Sequence, residues 1–348
     1  MAEKYLKRKV DDFLKEWKEK TNRLPLIIKG PRQVGKTESI CRFAKEAYKN
    51  IIYINFVEET KYKKITEDGY KTDDIIRNIS RIDPSKKFEE GETVIVFDEL
   101  QEYPEIATAL KFFHIDGRFD VICSGSLLGI HYKRIESNSV GYKADYDMYS
   151  MNFEEFLWAY GYNDDTISYL KSFFDSKEKI PPEIHEKYES LLREYLVVGG
   201  MPEVVANFAE FKDFTKVQEL QDKILAAYAD DISQHAKGAE KVKVRQCYDS
   251  IPRQLARENK KFKYSEVEHK ATSRKFSDSV QWLRDANMAY MCYNTTLPIL
   301  PLKAYEKENE FKLYIADTGL LLALFGFSTK QALLNGTLKG FAKGGIYE

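Results

Sequence analysis

From Gly30 to Thr37 the chain reads Gly30, Pro31, Arg32, Gln33, Val34, Gly35, Lys36, Thr37, the spacing G-x-x-x-x-G-K-[ST] in full. Each fixed position has a chemical reason. Glycines let the backbone wrap closely, so that successive N–H groups point inward at phosphate oxygens. A lysine placed as Lys36 reaches the β- and γ-phosphates, and a hydroxyl placed as Thr37 can hold Mg²⁺. In front lie Leu26, Ile27, Ile28 and the stem of Lys29, with buried-strand character; behind, Ile40, Phe43, Ala44 and Ala47 recur at helical spacing. Phosphate would then sit at a helix N-terminus, with Glu38 in its first turn. A chance glycine-rich turn would not bring strand, helix and all eight positions together. The stretch reads as a nucleoside triphosphate site.

Val94-Ile95-Val96-Phe97-Asp98-Glu99 is its natural partner. An apolar strand delivers Asp98 to its C-terminal end, where ligands gather in open parallel sheets. There Asp98 would hold Mg²⁺ through water and Glu99 would polarise the attacking water; the plainer alternative is two acids capping the next helix. Ser124 and Ser126 end the following strand, where a small polar side chain can sense the γ-phosphate, unless they only make a turn. Arg134 lies just beyond, where a cation could reach a neighbouring subunit's nucleotide or pair with a surface acid. Arg32 and Gln33 are not required by the motif, and their types leave lid packing and phosphate contact equally open.

These residues need elements to carry them. Residues 1–20 repeat Tyr5, Leu6, Val10, Phe13, Leu14 and Trp17 at helical intervals. Apolar strand-like stretches at 26–29, 50–59, 92–104 and 119–129 alternate with helical ones, which predicts a parallel α/β sheet covered on both faces. A further strand begins near 142 and turns helical after Asn152, which can cap that helix with Glu155. Residues 165–240 read almost wholly helical, broken at Pro181-Pro182 and at Gly199-Gly200-Met201-Pro202. From Val242 onward the pattern is helix, short helix, helix and strand-like pieces, then a strand pair and an apolar helix.

The 348 residues, 43% hydrophobic and 31% charged, fit two or three globular domains. A net charge of −1 advertises neither nucleic acid nor membrane, so any basic surface must be local. One such surface is 241–275, with eleven Lys/Arg against four acids. With a helix–turn–helix rhythm, and Ala271-Thr272-Ser273 opening the second helix, it resembles a winged-helix DNA reader. Lys260, Lys261, Lys263, Arg274 and Lys275 are the candidate DNA contacts, although such modules also bind proteins. Cys41, Cys123, Cys247 and Cys292 are scattered, and His114, His131, His185, His235 and His269 have no metal-ligand spacing. Zinc and disulfides are therefore not expected, and a reducing, cytoplasmic setting is. The charged N-terminus is no signal peptide, and no apolar run has the length of a membrane span.

Several stretches jointly resemble one family. GPRQVGKT, Asp98-Glu99, CSGSLLG and MYSMNFEEFLWA come first, LREYLVVGGMPEVV and AYADDIS follow, and IPRQLARENKKFKYSEV, WLRDANMAY and FKLYIADTGLL close the order. They resemble the prokaryotic AAA+ (AAA_14-type) P-loop ATPases that carry a C-terminal DUF4143 domain. Ser150 departs from that pattern, where proline is common. The resemblance implies an ATPase core over 1–160, a helical lid or linker over 161–240, and over 241–348 a winged-helix-like domain with the start of a nuclease-like region. Glu348 falls where an early glutamate of that region stands. The later acid-x-Lys set is missing, so these residues assemble no metal-dependent nuclease, and a fragment is expected.

The expected protein thus binds ATP and Mg²⁺ and hydrolyses ATP as a switch or motor. ATP is preferred over GTP because no N/T-K-x-D element occurs. DNA or a protein would be its partner, and homo-oligomerisation would let Arg134 act in trans. The alternatives are a DNA- or protein-binding regulator whose ATP site sets conformation with little turnover and, more weakly, a small-molecule kinase.

Overall fold

The computed structural model describes residues 5–126, 141–236 and 238–348. They fall into two compact units, Arg8–Tyr149 and residues 5–7 with Ser150–Glu348.

The first unit runs α1 (Lys9–Glu19), β1 (Leu26–Lys29), α2 (Lys36–Ala47), β2 (Asn50–Asn55), α3 (Thr72–Ile82), β3 (Thr93–Asp98), α4 (Ile106–Asp116), β4 (Asp120–Gly125) and β5 (Ala144–Asp147). Its five strands lie in the order β2-β3-β4-β1-β5, all parallel. Short apolar strands joined by helices leave a parallel arrangement as the way to bury both faces. Successive side chains alternate between those faces. Ile27, Ile52, Ile54, Ile95, Phe97 and Cys123 pack with Ile75, Ile79, Leu110 and Phe113 of α3 and α4. Tyr53, Val96, Asp98, Ile28 and Ser124 therefore share the other face, on which α2 packs against β3 and β4.

The helix of the N-terminal stretch covers Lys9–Glu19 and buries Val10, Leu14 and Trp17. At the far ends of the strands, Asp120 accepts from Arg23 Nε at 2.6 Å and Tyr48 OH at 2.6 Å. Arg23 and Tyr48 hold the Asp120 carboxyl below its ordinary range against the opposing effect of burial, the largest single influence on it.

The second unit opens with α5 (Phe153–Ala159). Asn152 Oδ1 accepts from Glu155 N at 3.0 Å and Glu155 Oε2 accepts from Asn152 N at 2.9 Å, the reciprocal cap expected from the residue types. There follow α6 (Asp164–Ser176), α7 (Pro182–Val198), α8 (Pro202–Phe211), α9 (Phe214–His235) and α10 (Glu240–Leu255), with Pro182 and Pro202 at first helical positions. After α10 come a 3₁₀ turn (Tyr264–Glu266), α11 (Ser273–Asp285), β6 (Ala289–Thr295), β7 (Glu306–Ile315), α12 (Thr318–Phe325), α13 (Phe327–Leu334) and α14 (Phe341–Tyr347). The strand pair expected after Leu300 is one ten-residue strand, β7, paired antiparallel with the earlier β6. Its first four residues are exposed and only Phe311, Leu313 and Ile315 alternate inward, so the pattern of the second half alone reads as a strand.

The Gly199-Gly200 turn is explained by packing. A Cβ on Gly199 would strike Asp317, and one on Gly319 would strike Val198 O. This closeness lets the buried Asp317 accept from Gly200 N at 2.7 Å and Leu320 N at 3.0 Å, capping α12. Lys330 is only 3% exposed and donates to Gln218 Oε1 at 2.6 Å and to Gln221 Oε1; burial pushes its amine down to about 8.

Candidate nucleotide site

The loop from Gly30 to Gly35 joins β1 to α2 at the C-terminal edge of the sheet. Gly35 is the residue before α2, with φ 88 and ψ 20, a left-handed conformation that suits glycine. Gly30 has a second constraint, because at φ 152 any Cβ would run into Met148 O. Met148 N in turn donates to Lys29 O at 2.7 Å. The first glycine of the motif is thus required by packing against the segment after β5. Gly30→Ala combines a forbidden backbone region with a backbone clash and should destabilise the core by at least about 3 kcal/mol in urea denaturation. An unchanged midpoint would refute the close approach.

Val34 is fully buried, and its carbonyl accepts from Arg8 Nη1 at 2.6 Å, while Arg8 Nη2 donates to Tyr149 O at 2.7 Å. Arg8, just ahead of α1, therefore braces the loop, which no local sequence signal announces. Pro31 is buried, and Arg32, Gln33, Thr37 and Glu38 are exposed. Lys36 is 8% exposed and donates to Gly30 O at 2.9 Å and Pro31 O at 2.7 Å. Burial pushes its amine down to about 8, opposed by the charges of Glu99 and then Asp98.

Opposite the loop, Asp98 ends β3 at 3% exposure. Its Oδ2 accepts from Thr37 Oγ1 at 2.9 Å and Tyr53 OH at 2.7 Å. Its Oδ1 accepts from Glu99 N at 2.9 Å and from the Ser124 hydroxyl. Burial and the hydrogen bond to Asp98 both hold the Tyr53 phenol protonated. Glu99 has φ 55 and ψ 50, unusual for a side-chain-bearing residue and of the kind that collects at functional sites. Its carboxylate accepts from Gln101 Nε2. Ser126 lies one residue beyond β4, 8% exposed.

The loop and strand end that the motif spacing pairs therefore meet, with Lys36, Thr37, Asp98, Glu99 and Ser124 in one place. Tyr53 and Gln101 join them and were not singled out from the sequence. Arg134 lies outside the described residues. Thr37 and Asp98 offer hard oxygen donors, which suits Mg²⁺, an ion that takes few protein ligands and completes its shell with water and phosphate. Among the described residues no group of three or more His, Cys, Asp or Glu could hold a metal ion by itself.

Of the basic candidates in the second unit, Lys260 lies 3.3 Å from Glu348, Lys261 3.6 Å from Glu310 and Lys275 2.7 Å from Glu268. Lys263 and Arg274 are exposed.

A five-stranded parallel sheet in this order, with the phosphate-type loop between β1 and α2, is the α/β fold of AAA-type P-loop ATPases. Residues 22–157 match a family described as an AAA domain. Residues 189–331 match a domain of unknown function, DUF8612, in place of the DUF4143 domain that the sequence resemblance implied. Each match covers less than half of the chain. Among solved structures, a Walker-type ATPase of Pyrococcus abyssi is 15% identical, with TM-score 0.55 over 93% of this chain and 97% of its own. That likeness speaks for the fold alone. The Thermotoga maritima RuvB Holliday junction branch migration motor is 12% identical over 86% of this chain and 94% of its own, at TM-score 0.39, too loose to support any conclusion. No curated protein matches the chain.

Proposed function

We propose that the chain is an ATP-binding, Mg²⁺-dependent AAA+ ATPase acting as a switch or motor. The observation that carries this is the 2.9 Å contact between Thr37 Oγ1 and Asp98 Oδ2, which joins the phosphate loop to the acidic strand end. The AAA-domain match over the same residues supports it. In this reading the N–H groups from Gly30 to Glu38 cradle the phosphates, and Lys36 exchanges the Gly30 and Pro31 carbonyls for phosphate oxygens. Mg²⁺, held through Thr37 and Asp98, supplies charge neutralisation at the transferring phosphate. Glu99 orients and polarises water. Ser124, sharing the Asp98 carboxylate, senses the change when the γ-phosphate leaves, with Ser126 beside it. Arg134 completes the site in a homo-oligomer. A cytoplasmic setting goes with four free cysteines, and among the described residues no helix is long and apolar enough to cross a membrane.

DNA association enters through a winged-helix-like reading of residues 241–348, supported by the order helix, turn, helix and hairpin. Glutamate at Lys260, Lys261 and Lys263 together should weaken binding to double-stranded DNA at least about tenfold at low salt and flatten its salt dependence. Filter binding at several salt concentrations measures both. Unchanged affinity would make this stretch a solvated face.

The second reading, a regulator with little turnover, is favoured by one observation and then takes a protein partner. Between β6 and β7, Leu297, Ile299, Leu300 and Leu302 are exposed, an apolar tip of a kind that marks protein contacts.

A further inference from the structure

We propose that Tyr53 is a positioning residue of the nucleotide site: its hydroxyl fixes the Asp98 carboxylate and thereby sets how tightly the site takes a divalent cation beside nucleotide. This rests on the ATPase reading for the presence of both ligands.

Four donors converge on Asp98, each from a different part of the fold. Thr37 comes from the start of α2, Tyr53 from β2, Ser124 from β4, and the Glu99 N–H from the chain that follows. Two bonds fall on each oxygen. The set is unequal in one respect, because in the ATPase reading the Thr37 oxygen is wanted as a cation ligand. When Thr37 turns to that task, Oδ2 keeps one side-chain donor among the described residues, and that donor is Tyr53. A carboxylate held from one side has its free lone pair aimed, and partners of this outer kind typically govern metal affinity by about 10- to 100-fold.

The placement follows from the strand. Tyr53 pairs with Val96 in the parallel register, so it lies two residues before the level of Asp98 and on the same face. Ile52 and Ile54, on the opposite face, belong to the hydrophobic core, whereas Tyr53 is half-buried on the edge strand β2, which among the described residues pairs with β3 alone. The ring is thus not a core filler, and removing its hydroxyl should spare the fold.

The test uses Tyr53→Phe with Mn²⁺ as the cation probe and ADP as the nucleotide. Mn²⁺ binding to the protein–ADP complex, followed by electron paramagnetic resonance, should weaken about tenfold, while ADP affinity in EDTA stays within about twofold of wild type. The Mg²⁺ concentration for half-maximal hydrolysis should rise by the same factor. Equal loss of Mn²⁺ and of ADP binding in EDTA would mean a general disturbance of the site and would overturn the assignment. Thr37→Val separates the two claims. If it loses Mn²⁺ while Tyr53→Phe binds like wild type, only the role of Tyr53 falls. Wild-type Mn²⁺ binding by Thr37→Val would overturn the cation site and the role of Tyr53 with it.

Discussion

Lys36→Ala is expected to leave a folded core that no longer holds ATP. The Lys36 amine is 8% exposed, and burial has already lowered its proton affinity, so the loop keeps a poorly solvated cation close to where phosphate would arrive. In the absence of ligand that cation leans on two carbonyls, those of Gly30 and Pro31. A phosphate oxygen is a far better partner, since a charge-assisted bond is roughly twice as strong as a neutral one. Truncating a buried, hydrogen-bonded charge of this type costs about 2–5 kcal/mol of binding, so ATP affinity should fall at least about 30-fold. Stability should change little, because losing two hydrogen bonds is offset by removing a desolvated charge. Isothermal titration with ATP and a thermal scan check the two halves separately. Tight ATP binding by a folded variant would remove Lys36 from the site.

Glu99→Gln should do the opposite, keeping ATP and losing turnover. The change preserves side-chain size and removes only the charge that polarises water. General-base assistance contributes about 10²–10⁴-fold to rate, so hydrolysis should drop by that factor with ATP affinity within about threefold. Gln101 Nε2, which donates to the Glu99 carboxylate, can still bond to the amide oxygen of the variant through a weaker, neutral bond, so the left-handed turn at residue 99 should persist. A variant that loses binding and turnover together would show that Glu99 shapes the loop rather than acting on water.

How much of this was readable in advance depends on how local each feature is. The phosphate loop is contiguous, and a strand in front with a helix behind is visible in the apolar pattern, so the loop and the α/β core were legible. Asp98 was legible as the end of a fully apolar strand. Tyr53 was not, because its significance lies in the neighbour relation between β2 and β3, which no single strand reveals. Period-two alternation puts it on the Asp98 face once the sheet order is known. Arg8 and Met148 act on the loop from distant parts of the chain, through backbone carbonyls that carry no sequence signature. The Gly199-Gly200 pair and Asp317 make sense only together, as a close approach of two helix ends. In the C-terminal half the short apolar runs specify helices that many packings share. They pointed to DUF4143, whereas the family matched there is DUF8612. The basic stretch was legible as charge, but the pairing of Lys260, Lys261 and Lys275 with acids from other elements was not.

The most direct test is steady-state phosphate release from ATP, with and without Mg²⁺, by the wild-type protein and Glu99→Gln side by side. Mg²⁺-dependent release by wild type that falls at least about 100-fold in Glu99→Gln is the predicted result. Equal release by the two proteins would remove Glu99 from the hydrolytic step, and no Mg²⁺-dependent release by the wild-type protein would contradict the assignment of this site as an ATPase centre.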